Sequence, residues 1–196
     1  MFHDLDATIG ALVESELSLK NVSISFATPD DQFPPSSVSP PAIVFFLYGM
    51  RENSDLRTSQ WETERLPTGT VTRKRPPVRV DCSYLITAWP GPGVPSPAQD
   101  EHRLLGEVTK VLLRHPTIPD SYLRGELVGQ EPPLRARFLA DSQLHTLGEF
   151  WQAMGGKPRA TLHYAVTVSL DVFEPVEVGP EVKRSVISIT QNVGRG

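Results

Sequence analysis

Scanned for its alternation of apolar and polar positions, the chain turns on one run, Arg75-Pro76-Pro77-Val78-Arg79-Val80-Asp81-Cys82-Ser83-Tyr84-Leu85-Ile86-Thr87-Ala88-Trp89. Its β-branched and aromatic content predicts a long strand, and both prolines stand at the start, where a missing amide donor does least harm. Every second residue from Val78 places Val78, Val80, Cys82, Tyr84, Ile86 and Ala88 on one face, with Arg79, Asp81, Ser83, Leu85, Thr87 and Trp89 on the other. The first face is apolar and needs a cover; the second is mixed. After a Pro/Gly-rich break at 90–97 comes a helix that can supply the cover. Leu104, Leu105, Val108, Val111 and Leu112 form its apolar stripe, Glu101, Glu107, Lys110 and Arg114 its exposed side, and Pro116 ends it. Ser96-Pro97-Ala98-Gln99 has the form of a capping box with proline at the first helical position. Gly106 inside the helix is expected to mark close packing against another element.

The same periodicities order the rest. Leu5, Ile9, Leu12, Val13 and Leu17 predict an amphipathic helix over 4–17, with Asp4 and Asp6 complementing its dipole. Residues 22–26 alternate strictly, as a half-buried strand does, and 28–41 hold too many prolines for anything but an extended surface loop. The uninterrupted apolar run 42–48 predicts a strand buried on both faces at the centre of the sheet. Residues 50–75 are polar and fit either a solvated hairpin-like excursion or an inter-subunit loop anchored by Trp61. Short strands are expected at 121–123 and 134–139, and a capped helix from Thr146 through Phe150, Trp151 and Met154 to Gly155-Gly156. A strand at 161–173 carries Leu162, Tyr164, Val166, Val168, Leu170 and Val172 on one face and largely polar residues on the other. The last segment opens on turn-like Glu174-Pro175 and Gly179-Pro180, then has strand propensity over 182–190. The prediction is an α+β fold, a mixed, mainly antiparallel sheet packed with a few helices, with 1–174 as one domain and 175–196 as a C-terminal arm.

Composition narrows the class. With 196 residues, 39% hydrophobic and 21% charged, the chain can bury a core and is neither disordered nor fibrous. Nineteen prolines, gathered in loops, indicate long shaped connections. A net charge of −4 gives no overall attraction to nucleic acid. The single cysteine, Cys82, cannot form an internal disulfide and reads as a small buried hydrophobe in a reducing compartment. The start of the chain lacks signal-peptide character, and no run reaches the roughly 20 apolar residues of a membrane span, so a soluble cytoplasmic product is expected.

The chemistry-bearing residues do not converge. His3, His102, His115, His145 and His163 include no pair at zinc-ligand spacing, so no metal or other cofactor is expected. Asp81 and Ser83 lack a nucleophile elbow, Gly91-Pro92-Gly93 is too proline-filled to cradle phosphate, and no catalytic residue is assigned. Arg73, Lys74, Arg75 and Arg79 form the one basic cluster in the sequence; without interleaved aromatics it suits a protein contact better than nucleic acid.

A family resemblance adds to this reading. Pro76-Pro77-Val78-Arg79-Val80-Asp81, Tyr84-Leu85-Ile86-Thr87-Ala88-Trp89 and Asp100-Glu101-His102-Arg103-Leu104-Leu105-Gly106 resemble the signature of the N-terminal domain of cap, or tail-terminator, proteins of contractile injection systems, as in Photorhabdus virulence cassettes and the antifeeding prophage. Arg51-Glu52-Asn53 with Arg57, and Phe150-Trp151 followed by Gly155, are similar to the same family, and the likeness runs with gaps from the first helix to near Phe173. The resemblance implies a structural protein: a hexameric ring on the end of inner tube and sheath that stops their polymerisation, with no nucleic-acid or membrane partner. Candidate subunit or sheath contacts are Arg51, Asn53, Arg57, Trp61, Arg73 and Arg75, and Val186, Ile187, Ser188 and Ile189 as a strand added to a neighbour's sheet edge. A flexible tail or last edge strand is the alternative for that arm. Another tail component, such as a tube or baseplate adaptor, and an enzyme are the rival classes.

Overall fold

The computed structural model describes residues 1–28, 32, 34–67, 70–138, 151–152 and 159–180. In chain order its elements are α1 (Phe2–Glu16), β1 (Ser23–Ser25), β2 (Ala42–Glu52), β3 (Glu62–Arg65), β4 (Thr70–Lys74), β5 (Val78–Trp89), α2 (Pro97–Arg114), β6 (Arg135–Phe138), β7 (Leu162–Leu170) and β8 (Val176–Pro180). The chain divides into two compact units, Met1–Arg57 with Val78–Leu170, and Thr58–Pro77 with Asp171–Gly196.

The first unit is built on a five-stranded sheet of order β1-β2-β5-β7-β6. Only β1 and β2 pair in parallel; every other neighbour is antiparallel, so the architecture is the expected α+β. The strand predicted from 78–89 is the middle one. Its alternate residues Val80, Cys82, Tyr84, Ile86 and Ala88 enter one core with Leu5, Ile9 and Val13 of α1 and Leu104, Leu105, Val108 and Leu112 of α2. The apolar stripes thus meet where the periodicities place them, and burial of each large side chain contributes about 1.5–3 kcal/mol. Tyr84 is fully buried, and its hydroxyl donates to Asp6 Oδ1 at 2.7 Å, which satisfies the one polar atom it brings inside.

Several local expectations need correction. The 42–48 strand extends to Glu52 and lies second in the sheet, not at its centre; it is buried over Ala42–Phe45 and opens to solvent beyond, because only its first half has cover on both sides. Residues 121–123 are not a strand: Asp120–Tyr122 form a 3-10 turn that packs on α1, with Arg124 N–H donating to Thr8 Oγ1 at 3.0 Å. The second face of β7 is buried as well, since Ala165, Thr167 and Ser169 lie under cover. Ser96 stands at the N-cap of α2 without a side-chain hydrogen bond to the helix. An added Cβ at Gly106 would meet nothing within 4 Å, so close packing does not explain that glycine. Glu101, read as exposed, is buried against the Arg159 guanidinium.

The second unit is a three-stranded sheet of order β3-β4-β8, with both pairings antiparallel. β3 and β4 therefore do pair as a hairpin, and Gly179-Pro180, expected to turn, ends a strand that pairs with β4. The predicted helix start at 146–149 and the strand at 182–190 lie outside the described residues. Among the described residues no helix is long and apolar enough to cross a membrane.

Candidate assembly surfaces

The side of the first sheet turned away from the helices is where this unit departs from a plain sandwich of sheet and helices: its middle is buried yet charged. Cross-strand partners share a face, so the register assigns its side chains row by row. One row runs Arg51–Asp81–Thr167–Arg135; a flanking row is Arg79–Ser169, and the other is Gly49–Ser83–Ala165–Arg137. Arg51 reaches this face through an irregularity: the β2–β5 register shifts between Leu47 and Gly49, leaving Tyr48 as an extra residue. Before the shift the even positions Ala42, Val44 and Phe46 share a face with Leu85 and Thr87; after it the odd ones do, placing Arg51 beside Asp81 and Met50 beside Cys82.

Asp81 is the hub of these rows. It is 3% exposed, and its carboxylate accepts from Asn53 Nδ2 at 3.1 Å to each oxygen, from Thr167 Oγ1 at 2.7 Å and from Arg137 Nη2 at 2.9 Å. Burial pulls its pKa up, but the hydrogen bonds from Thr167 and Asn53 and the charge of Arg137 outweigh it and hold the carboxyl below its ordinary range. Arg79, 8% exposed, buries Nε and Nη1 without any hydrogen-bond partner. Burial, and then the like charge of Arg135, lower its pKa. The opposite end of the same face is apolar, where Trp89 packs with Val38, Ala42 and Val44 and the Arg159 guanidinium sits 4.0 Å over the Trp89 ring.

The contact residues expected from the sequence fall into two groups. In the first unit, Asn53 caps the 3-10 turn at Ser54–Leu56 through Oδ1, which accepts from Leu56 N–H at 3.2 Å, while its amide nitrogen holds Asp81. Arg57 closes the same corner by pairing with Glu52 at 2.7 Å. In the second unit, the Arg75 guanidinium lies between the Trp61 ring at 5.2 Å and the Phe173 ring at 5.3 Å, leaving Trp61 42% exposed. Arg73 is exposed on β4, and Lys74 pairs with Asp171. Val186, Ile187, Ser188 and Ile189 lie outside the described residues.

The basic cluster of the sequence is therefore not one patch. Arg73, Lys74 and Arg75 belong to the second unit and each has its own surroundings, whereas Arg79 belongs to the first and shares its face with Arg51, Arg135 and Arg137. That grouping was not legible in order along the chain, because 28 to 58 residues separate Arg79 from the others and only the strand register brings them together. The two x-Arg pairs of Arg135-Ala136-Arg137 were its one local sign: alternate arginines on a strand must share a face. Cys82 is fully buried, and burial with the nearby Asp81 and Asp6 charges pushes its thiol up to about 12, so it packs as an inert hydrophobe. Among the described residues no group of three or more His, Cys, Asp or Glu is placed to hold a metal ion.

Comparison with known proteins fits this picture of a body with shaped surfaces. No curated protein matches the chain. Among solved structures, the sheath/tube terminator of the extracellular contractile injection system PVC in its extended state superposes on 100% of the chain with a TM-score of 0.71 at 21% identity. The tube-terminating cap of the anti-feeding prophage superposes on 98% with a TM-score of 0.60 at 24% identity. The chain spans 65% and 61% of the length of those two proteins. The family model described as the Pvc16 N-terminal domain matches residues 4–184, and the chain belongs to that family.

Proposed function

We propose that this protein is a structural cap, a tail terminator that forms a hexameric ring, ends the inner tube and sheath of a contractile injection system and is assembled into the phage tail-like particle from a cytoplasmic pool. The observation that carries the reading is the family match over 4–184, together with a fold shared along the whole chain with a sheath/tube terminator. The site geometry agrees with a scaffold in place of an enzyme. Asp81, the buried acid on the side of the sheet away from the helices, is held by three hydrogen-bonding neighbours, Asn53, Thr167 and Arg137.

The contacts of such a ring would come from both units. Arg51, Asn53 and Arg57 form an ordered corner at the end of β2, and Trp61 with Arg73 and Arg75 gives an aromatic and cationic edge of the kind enriched at interfaces. The segment 175–196 acts as an arm whose Val186, Ile187, Ser188 and Ile189 add as a strand to a neighbour's sheet edge. Purified chain added to tubes and sheaths with free ends, imaged in negative stain, tests the whole: density of sixfold symmetry at one end is expected, and binding along the shaft or at the baseplate end overturns it. Deletion after Pro180 tests the arm; unchanged attachment by that truncated protein removes the strand-addition idea.

A further inference from the structure

The side of the first sheet turned away from the helices carries four arginines on three adjacent rows with one acid, Asp81; Arg79 is buried in its middle, and Arg51, Arg135 and Arg137 are exposed at its margins. Neighbouring strands lie about 4.8 Å apart and successive same-face residues about 7 Å apart, so these guanidinium groups crowd one patch. Asp81 already accepts from Arg137, Thr167 and Asn53. Among the described residues no side-chain hydrogen bond or ion pair involves Arg51 or Arg135, and the nearly buried Arg79 leaves Nε and Nη1 unpaired. Asp81 is the one acid whose charge acts on Arg79 among the described residues, and it is shared with its own hydrogen-bond partners, so a carboxylate brought to the exposed arginines from outside adds compensation that the patch lacks.

The second unit offers the complementary surface. Glu62 and Glu64 share a face of β3 and pair across to Lys74 and Thr72, with Glu177 of β8 opposite Thr72. Lys74 pairs with Asp171, and its charge acts on Glu62 more weakly than on that partner. Glu62, Glu64, Thr72 and Lys74 line a hollow of about 280 Å³ with Thr63 and Pro175. β3 is an edge strand with all four residues exposed. This is an acidic rim of a size to seat a guanidinium, on an edge that nothing in its own sheet covers.

We propose that the occupant of the arginine face is a second copy of this chain, whose β3 edge presents Glu62 and Glu64 to Arg51 and Arg135. Two different surfaces joined head to tail make a heterologous contact, which closes into a ring when its rotation permits. The inference deepens the cap reading by naming the mating surfaces, and rests on it for ring closure. Nucleic acid is the poorer occupant, since the rows lack stacking aromatics and Asp81 stands among the arginines.

Charge reversal decides it. R51E/R135E makes both mating surfaces acidic, E62R/E64R makes both basic, and all four side chains are exposed, so both proteins should keep the wild-type circular dichroism melt. Sedimentation velocity of the wild type should show self-association, each variant alone should lose it by on the order of 100-fold, and an equimolar mixture should regain it to within about 10-fold by alternating the two. A wild type that stays monomeric, a mixture that stays monomeric, or variants that associate as the wild type does each overturn the contact. So does wild-type binding to a labelled mixed-sequence oligonucleotide that R51E/R135E abolishes while self-association is kept. Wild-type rings that assemble yet ignore tube ends sink the cap reading and leave this contact standing.

Discussion

The two faces of β5 use the same twelve residues to opposite ends. Toward the helices, Val80, Cys82, Tyr84, Ile86 and Ala88 present almost nothing but hydrocarbon, and the one hydroxyl among them is satisfied by Asp6. On the other side Arg79 and Asp81 are just as buried, yet they are charged, and only one of them is paired in full. A face that served stability alone would not hold an unpaired guanidinium, because apolar residues of similar size would do better there. The difference separates what keeps this subunit folded from what it shows to neighbours.

The sharpest way to break the helix-covered face is Tyr84→Ala. It empties the volume of the largest fully buried side chain, between Phe45 and Phe26, and strips Asp6 of its donor. A loss of about 3–5 kcal/mol is expected in urea unfolding. A loss under about 1 kcal/mol would mean that the helices do not seal this face.

The other face should fail through charge. Asp81→Ala leaves Arg137, Asn53 and Thr167 without their acceptor and removes a negative charge that acts on Arg79. About 3 kcal/mol is expected, the low end for breaking a buried ion pair, because the Arg137 side chain is 50% exposed. The pH dependence follows from the sign of the shift. Asp81 titrates below its unfolded value in the folded protein, so its stabilisation is fully present above roughly pH 4 and is lost as pH falls through the lower folded value. Unfolding free energies of wild type and Asp81→Asn, measured from pH 6 to pH 2, should converge in acid; parallel curves would sink the assignment.

These two experiments also mark how far the sequence could be followed. The helix-covered face was legible because hydrophobic period alone fixes it: the stripes of 4–17, 78–89 and 97–115 name the residues where β5 meets the two helices. The arginine face was not. It depends on the extra residue at Tyr48, which decides whether Arg51 or Met50 joins Asp81, and an insertion of one residue in an apolar strand leaves no mark in composition. The 3-10 turn at Asp120–Tyr122 was misread as strand for a related reason, since three residues carry too little period to choose, and packing on α1 chose instead. Burial of Arg79 and Glu101 was likewise out of reach, being set by cover from distant segments.

A smaller effect is expected where the next 3-10 turn, Gly125–Leu127, meets α1. Gly125 has φ +56, and a Cβ there would lie 2.1 Å from Asp4 Oδ1, the carboxylate that also holds the chain's amino terminus. Gly125→Ala must adopt the left-handed conformation and displace Asp4, which together should destabilise by about 1–2 kcal/mol. Gly125→Asn, whose side chain tolerates that conformation better, still meets Asp4; equal losses from both would assign the effect to the clash and not to the backbone.

The smallest expected change has the opposite sign. Gly106 lies in the middle of α2 with open space around its missing Cβ, so inside an isolated subunit it only raises the conformational entropy lost on folding. Gly106→Ala should stabilise by about 0.5–1 kcal/mol and raise the melting temperature by a few degrees. Neighbouring residues of α2 already face the core through Leu104, Leu105 and Val108, so the substitution leaves the helix-covered face of the sheet intact. Assembly is the second readout. If the stabilised protein also associates and caps as the wild type does, the glycine has no role that alanine cannot fill. If it melts higher yet assembles more weakly, the space beside Gly106 is reserved for a neighbour, and the division of labour drawn between the two faces of β5 has to be extended to the outer side of α2.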